Sequence, residues 1–233
     1  MSTYEREISD YGMEFCNLSH MNKGRYLKQR EELAKTLFGK GIKDENVLRA
    51  IRSIPRHTFV DSALWTRAYE DIALPIGLQQ TISQPYTVAR QTELLEIQRG
   101  HRILEIGTGS GYQCAVLCEL GADVYSIERH DELYHRSRDH LRELGYRPIL
   151  KCDDGTLGWN AYAPFDGIVV TAGAPIIPQE LIRQLKIGGR LVIPVGDSNT
   201  QQMHLLVRVS ETQYDEQVFE GFKFVPLIGR DGW

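Results

Sequence analysis

Cysteine is scarce in this chain: Cys16, Cys114, Cys118 and Cys152 are the only four in 233 residues. Cys114 and Cys118 are four apart on one expected helix, yet no histidine pair stands at zinc-like spacing beside them. They read as two small hydrophobes on a buried helix face. His130, His135 and His140 recur every five residues, which scatters them around a helix, so no metal site is expected. A basic excess is also missing. Lys and Arg number 27 against 31 Asp and Glu, a net charge of −4, which argues against a nucleic-acid binder. No apolar run is long enough to span a bilayer. The opening "MSTYEREISDYGMEF" has no apolar segment of the signal-peptide kind, so a cytoplasmic protein with no membrane partner is expected. Repeats and low-complexity segments are absent, and 42% hydrophobic with 25% charged residues excludes disorder and fibres.

What is present is enough for one α/β domain with a sizeable core. Residues 1–25 are polar and without a clear period, and read as an extension. The remainder, 26–233, reads as a single domain: a helical and loop region over 26–90, then a sheet region over 91–233. From Tyr26 the pattern is helical, with Tyr26, Leu33, Leu37 and Phe38 on one face and Gly39 as the stop. Asp44 reads as the N-cap before "VLRAI", and Pro55 follows that helix. Candidate strands are "RILEI" (102–106), "DVYSIE" (123–128), "PILKC" (148–152), "DGIVVT" (166–171) and "RLVIPV" (190–195). Helix-length segments at 112–120 and 131–144 separate the first three, and "PQELIRQLK" precedes the fifth. Near-continuous apolar strands alternating with helices imply a parallel sheet covered on both faces. "QMHLLVRVS" then alternates at period two and "VFEGFKFV" follows without room for a helix, which reads as an antiparallel edge hairpin and brings the strands to seven.

The stretch "LEIGTGSGYQ" places Gly107, Thr108, Gly109, Ser110 and Gly111 at the end of the first sheet strand, where open α/β sheets bind ligands. The spacing is G-x-G-x-G, not the dinucleotide fingerprint G-x-G-x-x-G. Glu105 just before the loop would repel a pyrophosphate and suit a cationic amine; capping the next helix is its bland alternative. Glu128 ends the second sheet strand, where an acid accepts from ribose hydroxyls or pairs with a surface Arg. Asp153 and Asp154 follow the third, where a purine edge could be held. Acids at three successive strand ends with a tight glycine turn fit S-adenosylmethionine better than NAD.

From about residue 27 to about 228 the chain resembles the protein-L-isoaspartate (D-aspartate) O-methyltransferase family. The resemblance rests on "IPRHTFV" (54–60), "AYEDIALPIG" (68–77), "QTISQPYTVA" (80–89), "LEIGTGSGYQCAVL" (104–117), "SIER" (126–129), "DDGTLGW" (153–159), "APFDGIVVTA" (163–172), "IPQELIRQLKIGGRLVIPVG" (177–196) and "FVPLIG" (224–229). The glycine loop alone would indicate any class I methyltransferase; "QTISQP" and "IPRHTFV" narrow it to this family. The resemblance implies a Rossmann-like, seven-stranded, mostly parallel class I methyltransferase sheet, with an N-terminal helical region. It implies methyl transfer from S-adenosylmethionine to the free carboxylate of L-isoaspartyl, or D-aspartyl, residues in damaged proteins and peptides. The ester collapses to a succinimide that hydrolyses partly to L-aspartate.

By the same resemblance Ser83 stands at the active-site position, with Thr81 beside it. Ile82, Glu105, Gly107, Thr108, Gly109, Ser110, Gly111, Glu128, Arg129, Asp154 and Gly155 fall on cofactor positions. Ser83, Tyr86, Val225 and Leu227 fall on the substrate side. Three positions depart from the family's usual residues: Gln79 and Asp153, where it commonly has glycine, and Tyr86, where it often has His. Ser83 has a second reading as cap of the helix "PYTVARQTELLEI", because Ser-x-Pro fits a helix start. His57 reads as structural, since a carboxylate nucleophile is already ionised near neutral pH and needs no base. A monomer is expected. Two other functions share the scaffold: a carboxyl methyltransferase dedicated to one peptide, and an S-adenosylmethionine-binding adaptor without catalysis.

Overall fold

The computed structural model describes residue 24 and residues 26–233; the expected extension lies outside these, apart from Gly24. Helix α1 (26–39) buries Leu33, Ala34 and Leu37. Two expectations shift here. Phe38 is turned to solvent, with the Lys43 ammonium 4.3 Å above its ring. The helix also runs through Gly39. Its stop is Gly41 at φ 109°, where Ile42 N–H reaches Leu37 O and Gly41 N–H reaches Phe38 O, a Schellman closure that needs the left-handed residue. Helix α2 (Glu45–Ser53) starts as expected, with Asp44 accepting from the amides of Asn46 and Val47.

Between residues 56 and 67 the chain makes two 3-10 turns, and then an element absent from the sequence reading: an antiparallel hairpin of β1 (Leu74–Gly77) and β2 (Gln80–Ile82). Its two-residue turn, Leu78–Gln79, has φ of 51° and 58°. Such turns normally announce themselves with Asn or Gly, and this one does not. Helix α3 (Pro85–Leu95) follows with Pro85 in its first turn.

The main sheet has seven strands: β3 (Arg102–Ile106), β4 (Asp123–Glu128), β5 (Ile149–Cys152), β6 (Phe165–Val170), β7 (Leu185–Gly196), β8 (Gln201–Arg208) and β9 (Tyr214–Phe222). Their order is β5-β4-β3-β6-β7-β8-β9. The first five run parallel, and β8 and β9 add antiparallel, as the edge-hairpin reading required. Chain direction across the sheet switches at β3, which lies between β4 and β6. Several boundaries differ from expectation. The helix before the fifth parallel strand, α6 (Gln179–Arg183), is only five residues long. Strand β7 begins at Leu185, because Gly188 and Gly189 let it bulge against Phe165 and still pair onward from Arg190. Strand β9 starts and ends earlier than "VFEGFKFV".

Helices α4 (Tyr112–Glu119) and α5 (Asp131–Glu143) connect β3 to β4 and β4 to β5. One face of the sheet packs Ile103, Val124, Val169 and Val192 against α1–α5. The other packs Leu104, Ile106, Ile168 and Leu191 against α6 and an aromatic turn carrying Trp159 and Tyr162. Both faces are therefore covered, which is why these strands lack polar alternation. No helix among the described residues is long and apolar enough to cross a membrane.

Candidate active site

A cleft of about 810 Å³, including the part open to solvent, lies at the carboxyl ends of β3, β4 and β6. One wall is the glycine loop with the end of β4, the other is the segment from Gln80 to Ser83, and Val225–Ile228 closes the side.

The loop wall is fixed by the sheet. Gly107 has φ 94°, and a Cβ there would stand 2.5 Å from Thr171 Oγ1. That close approach is used: the Thr171 hydroxyl bonds to the carbonyls of Ile106 and Gly107, tying the loop to the end of β6. Glu128, almost fully buried, accepts from Gly109 N–H at 2.7 Å and His130 N–H at 2.9 Å, one on each carboxylate oxygen. It has no Lys or Arg partner among the described residues, and each oxygen keeps acceptor capacity toward the cleft it lines.

Glu105 is placed differently from either sequence reading. It is fully buried, off the cleft wall, and caps nothing. It sits opposite Ser126 on β4, accepts from Ser126 Oγ at 2.5 Å, and Ser126 in turn pairs with Thr108 Oγ1 at 2.6 Å. Burial pushes its carboxyl up to about 8, the Ser126 bond opposing and the Glu128 charge adding. Near neutral pH it therefore holds its proton, and it cannot act as the exposed anion that the sequence suggested. Its connection to the cleft runs through Ser126 to Thr108, which is on the wall.

Asp154 is also redirected. Its Oδ1 accepts from the amide and hydroxyl of Thr156 and its Oδ2 from Arg230 N–H at 2.8 Å, so the carboxylate anchors the segment after Val225–Ile228 and is off the wall. Gly155 is on the wall, and a Cβ there would stand 2.4 Å from Ile106. Thr81, Ile82, Ser83, Thr108, Gly109, Ser110, Arg129, Val225 and Leu227 all line the cleft, whereas Gly111 and Tyr86 do not. Gly111 instead caps α4, and the Tyr86 ring lies parallel to Phe222 with centroids 6.3 Å apart.

The capping role read for Ser83 is taken by another residue. The N-cap position of α3 is Gln84, without a side-chain cap bond. Asp71 reaches in from 15 positions upstream: its Oδ1 accepts from Tyr86 N–H at 2.7 Å, while its Oδ2 accepts from Gln84 Nε2 at 3.2 Å and from the Lys40 ammonium at 2.6 Å. The Ser83 hydroxyl makes no bond to a described residue and faces no competing duty. Its backbone carbonyl accepts from Arg56 Nη2 at 2.9 Å. Asp71 and Arg56 were missed as site residues, although both lie inside the quoted "AYEDIALPIG" and "IPRHTFV" segments. Thr171, Tyr112, Gln113 and Leu133 are further wall residues that sequence reasoning passed over. His57 is not on the wall. It stacks on Tyr26 at 3.8 Å and meets Tyr69 Oη at 2.6 Å, and burial drives its imidazole down to about 4.

The residues fit S-adenosylmethionine: remaining acceptor capacity on both Glu128 oxygens for a diol, a glycine cradle beside it, and apolar Ile127, Leu133 and Leu227 around the remaining space. The family described as protein-L-isoaspartate(D-aspartate) O-methyltransferase matches residues 28–232. The chain belongs to this family. Among proteins named protein-L-isoaspartate O-methyltransferase, that of Christiangramia forsetii is 57% identical over 88% of this chain and 96% of its own. That of Salinibacter ruber is 55% identical over 89% and 94%. A solved protein-L-isoaspartate O-methyltransferase superposes with TM-score 0.80 at 30% identity, over 87% of this chain and 67% of its own. A Plasmodium falciparum structure described as a putative member, in complex with S-adenosyl-L-homocysteine, gives TM-score 0.72 at 22% identity, over 85% and 98%, which speaks to the fold. Within the methyltransferase family fold, the "QTIS" wall and the glycine-loop wall thus face each other across one cleft.

Proposed function

We propose that this chain is a protein-repair methyltransferase, acting on the free carboxylate of L-isoaspartyl residues in damaged proteins and peptides. The observation that carries the reading is the pairing of walls: Thr81–Ser83 on one side of the cleft, Gly107–Ser110 with Glu128 on the other, in a chain of this family. S-adenosylmethionine, when bound, supplies a methyl group on a sulfonium, which a carboxylate oxygen can accept directly.

The residues' task is then placement. Glu128 accepts from the ribose hydroxyls, and Gly155 leaves room where a side chain would collide with Ile106. Thr108, held through Ser126 and Glu105, keeps the loop in one conformation. The substrate carboxylate has an ordinary pKa of about 4 and arrives ionised, so no base is required. This agrees with His57 being held neutral and off the wall. The Ser83 hydroxyl donates to one carboxylate oxygen and leaves the other aimed along the cleft, with Thr81 as the adjacent donor. Orientation of this kind supplies up to roughly 7–11 kcal/mol. The product ester loses methanol when the following amide nitrogen closes the succinimide, outside the enzyme's chemistry. Val225–Ile228 is the substrate-side wall. A cytoplasmic, monomeric enzyme without nucleic-acid partners goes with this reading, and gel filtration checks the monomer.

The test is methyl transfer from labelled S-adenosylmethionine to two peptides of one sequence, one with L-isoaspartate and one with L-aspartate. Base-labile label in the first alone is the expected outcome. Label in neither, with cofactor still bound, would turn the reading toward a dedicated peptide substrate or a silent binding module.

A further inference from the structure

The geometry points to Arg56 as a positioning residue for methyl transfer, one that holds Ser83 in register with the cofactor loop. This rests on the function proposed above. Arg56 lies in the 3-10 turn after α2 and is fully buried. Its Nε donates to Ala68 O at 2.9 Å, and its Nη2 to Ser83 O at 2.9 Å and Ile72 O at 3.4 Å. Its guanidinium carbon lies 4.7 Å from the centroid of the Tyr112 ring. Tyr112 is the first residue of α4, directly after the glycine loop, and lines the same cleft as Ser83. One side chain thus touches the backbone of the substrate wall and the aromatic at the root of the cofactor wall.

The arrangement is unusual for a purely structural arginine. No carboxylate bonds to it, Nη1 has no partner among the described residues, and burial depresses its pKa while Tyr112 and Asp71 pull it back. A buried cation without an ion pair is costly, and an apolar side chain would fill the same space at less cost. What an apolar side chain cannot do is tie the carbonyls of the 68–72 turn to that of Ser83. The fork holds the Ser83 peptide, and so the place on the wall from which its side chain projects.

The experiment compares Arg56→Met and Arg56→Lys with the wild-type protein. It reads the affinity of an isoaspartyl peptide for the S-adenosyl-L-homocysteine-loaded protein by calorimetry, the affinity for S-adenosyl-L-homocysteine itself, and kcat and KM. Arg56→Met is expected to weaken peptide binding at least fivefold and raise KM in parallel, with the cofactor-product affinity within threefold. Arg56→Lys, which keeps the charge but not the fork, is expected to fall between, and it carries the test if the methionine variant does not fold. Peptide affinity changed by less than fivefold in the folded methionine variant, or unchanged in the lysine variant where only that one folds, overturns the proposal. So does an equal loss in both affinities, which would mark general loosening. A wild-type protein that fails to methylate the isoaspartyl peptide removes the function as well; a wild type that methylates it beside unaffected variants removes only the role of Arg56.

Discussion

The two walls of the cleft are made in opposite ways. The glycine-loop wall is a continuation of β3 and β4, and its bonds join neighbouring strand ends: Glu128 to Gly109, Ser126 to Glu105, Thr171 to Gly107. The Ser83 wall is a short hairpin and a helix start that belong to no large sheet. It hangs on long-range side-chain bonds to its backbone: Asp71 to Tyr86, Arg56 to Ser83, and Arg136 of α5 to Ile76. The first wall inherits its rigidity from the sheet, and the second is adjustable one residue at a time. A fold that must keep one cofactor but meet many damaged sequences gains from that division.

Substitutions can break or sharpen this contrast. The largest expected effect lies inside the loop wall and concerns pH. Folded Glu105 keeps its proton to about 8, against an ordinary value of 4.5. The folded state therefore binds more protons over that interval, and stability falls as pH rises through it, then levels off. Glu105→Gln removes the titration, so its stability relative to wild type should rise by on the order of 4 kcal/mol between pH 4.5 and 8. Urea unfolding at both ends of the interval measures this, and a constant gap would deny the buried proton. On the other wall, Ser83→Ala should lower kcat/KM by roughly ten- to a hundredfold, the worth of a bond to a charged group, while leaving the melting temperature nearly unchanged. A large drop in melting temperature would restore the capping role to Ser83. Asp71→Ala should act first on stability. Loss of the remote cap should cost about 1–2 kcal/mol, read as a fall of several degrees by calorimetry, and a thermally unaltered variant would show that α3 needs no cap from Asp71. The smallest effect is a gain. Gln79→Gly relieves a left-handed backbone and should add about 0.5–1 kcal/mol in chemical denaturation; no gain would mean the turn is not strained.

The same contrast explains what could be read from sequence. β3 and β4 occupy the residues their apolar patterns marked, because each strand is bounded by its own acid or glycine. The hairpin β1–β2 escaped notice because strands of four and three residues, interrupted by Pro75 and Gly77, carry no period. Glu105 was readable in part. Strand parity sends it to the same sheet face as Ile103, toward α4 and away from a ligand at the strand end. Asp154 as an anchor and the cap of α3 were not readable. They depend on Arg230 and Asp71, and nothing local says that those residues come near. Motif resemblance located the cleft, and only coordinates could say which acid faces it.

Strand order has a consequence in time. β3 must pair with β6, Ile103 opposite Gly167, before the loop acquires its Thr171 anchor, and Val225–Ile228 joins later in the chain still. Contacts of such sequence separation form slowly. A growing or refolding chain would pass through states in which the sheet is begun but the cleft lacks a side. A ligand that recognises only the finished cleft then acts as a late lock, adding its binding energy to the native state and none to its precursors. Supplying the cofactor during refolding would therefore raise the yield of native protein chiefly by retarding its loss, with little change in the rate at which it first appears.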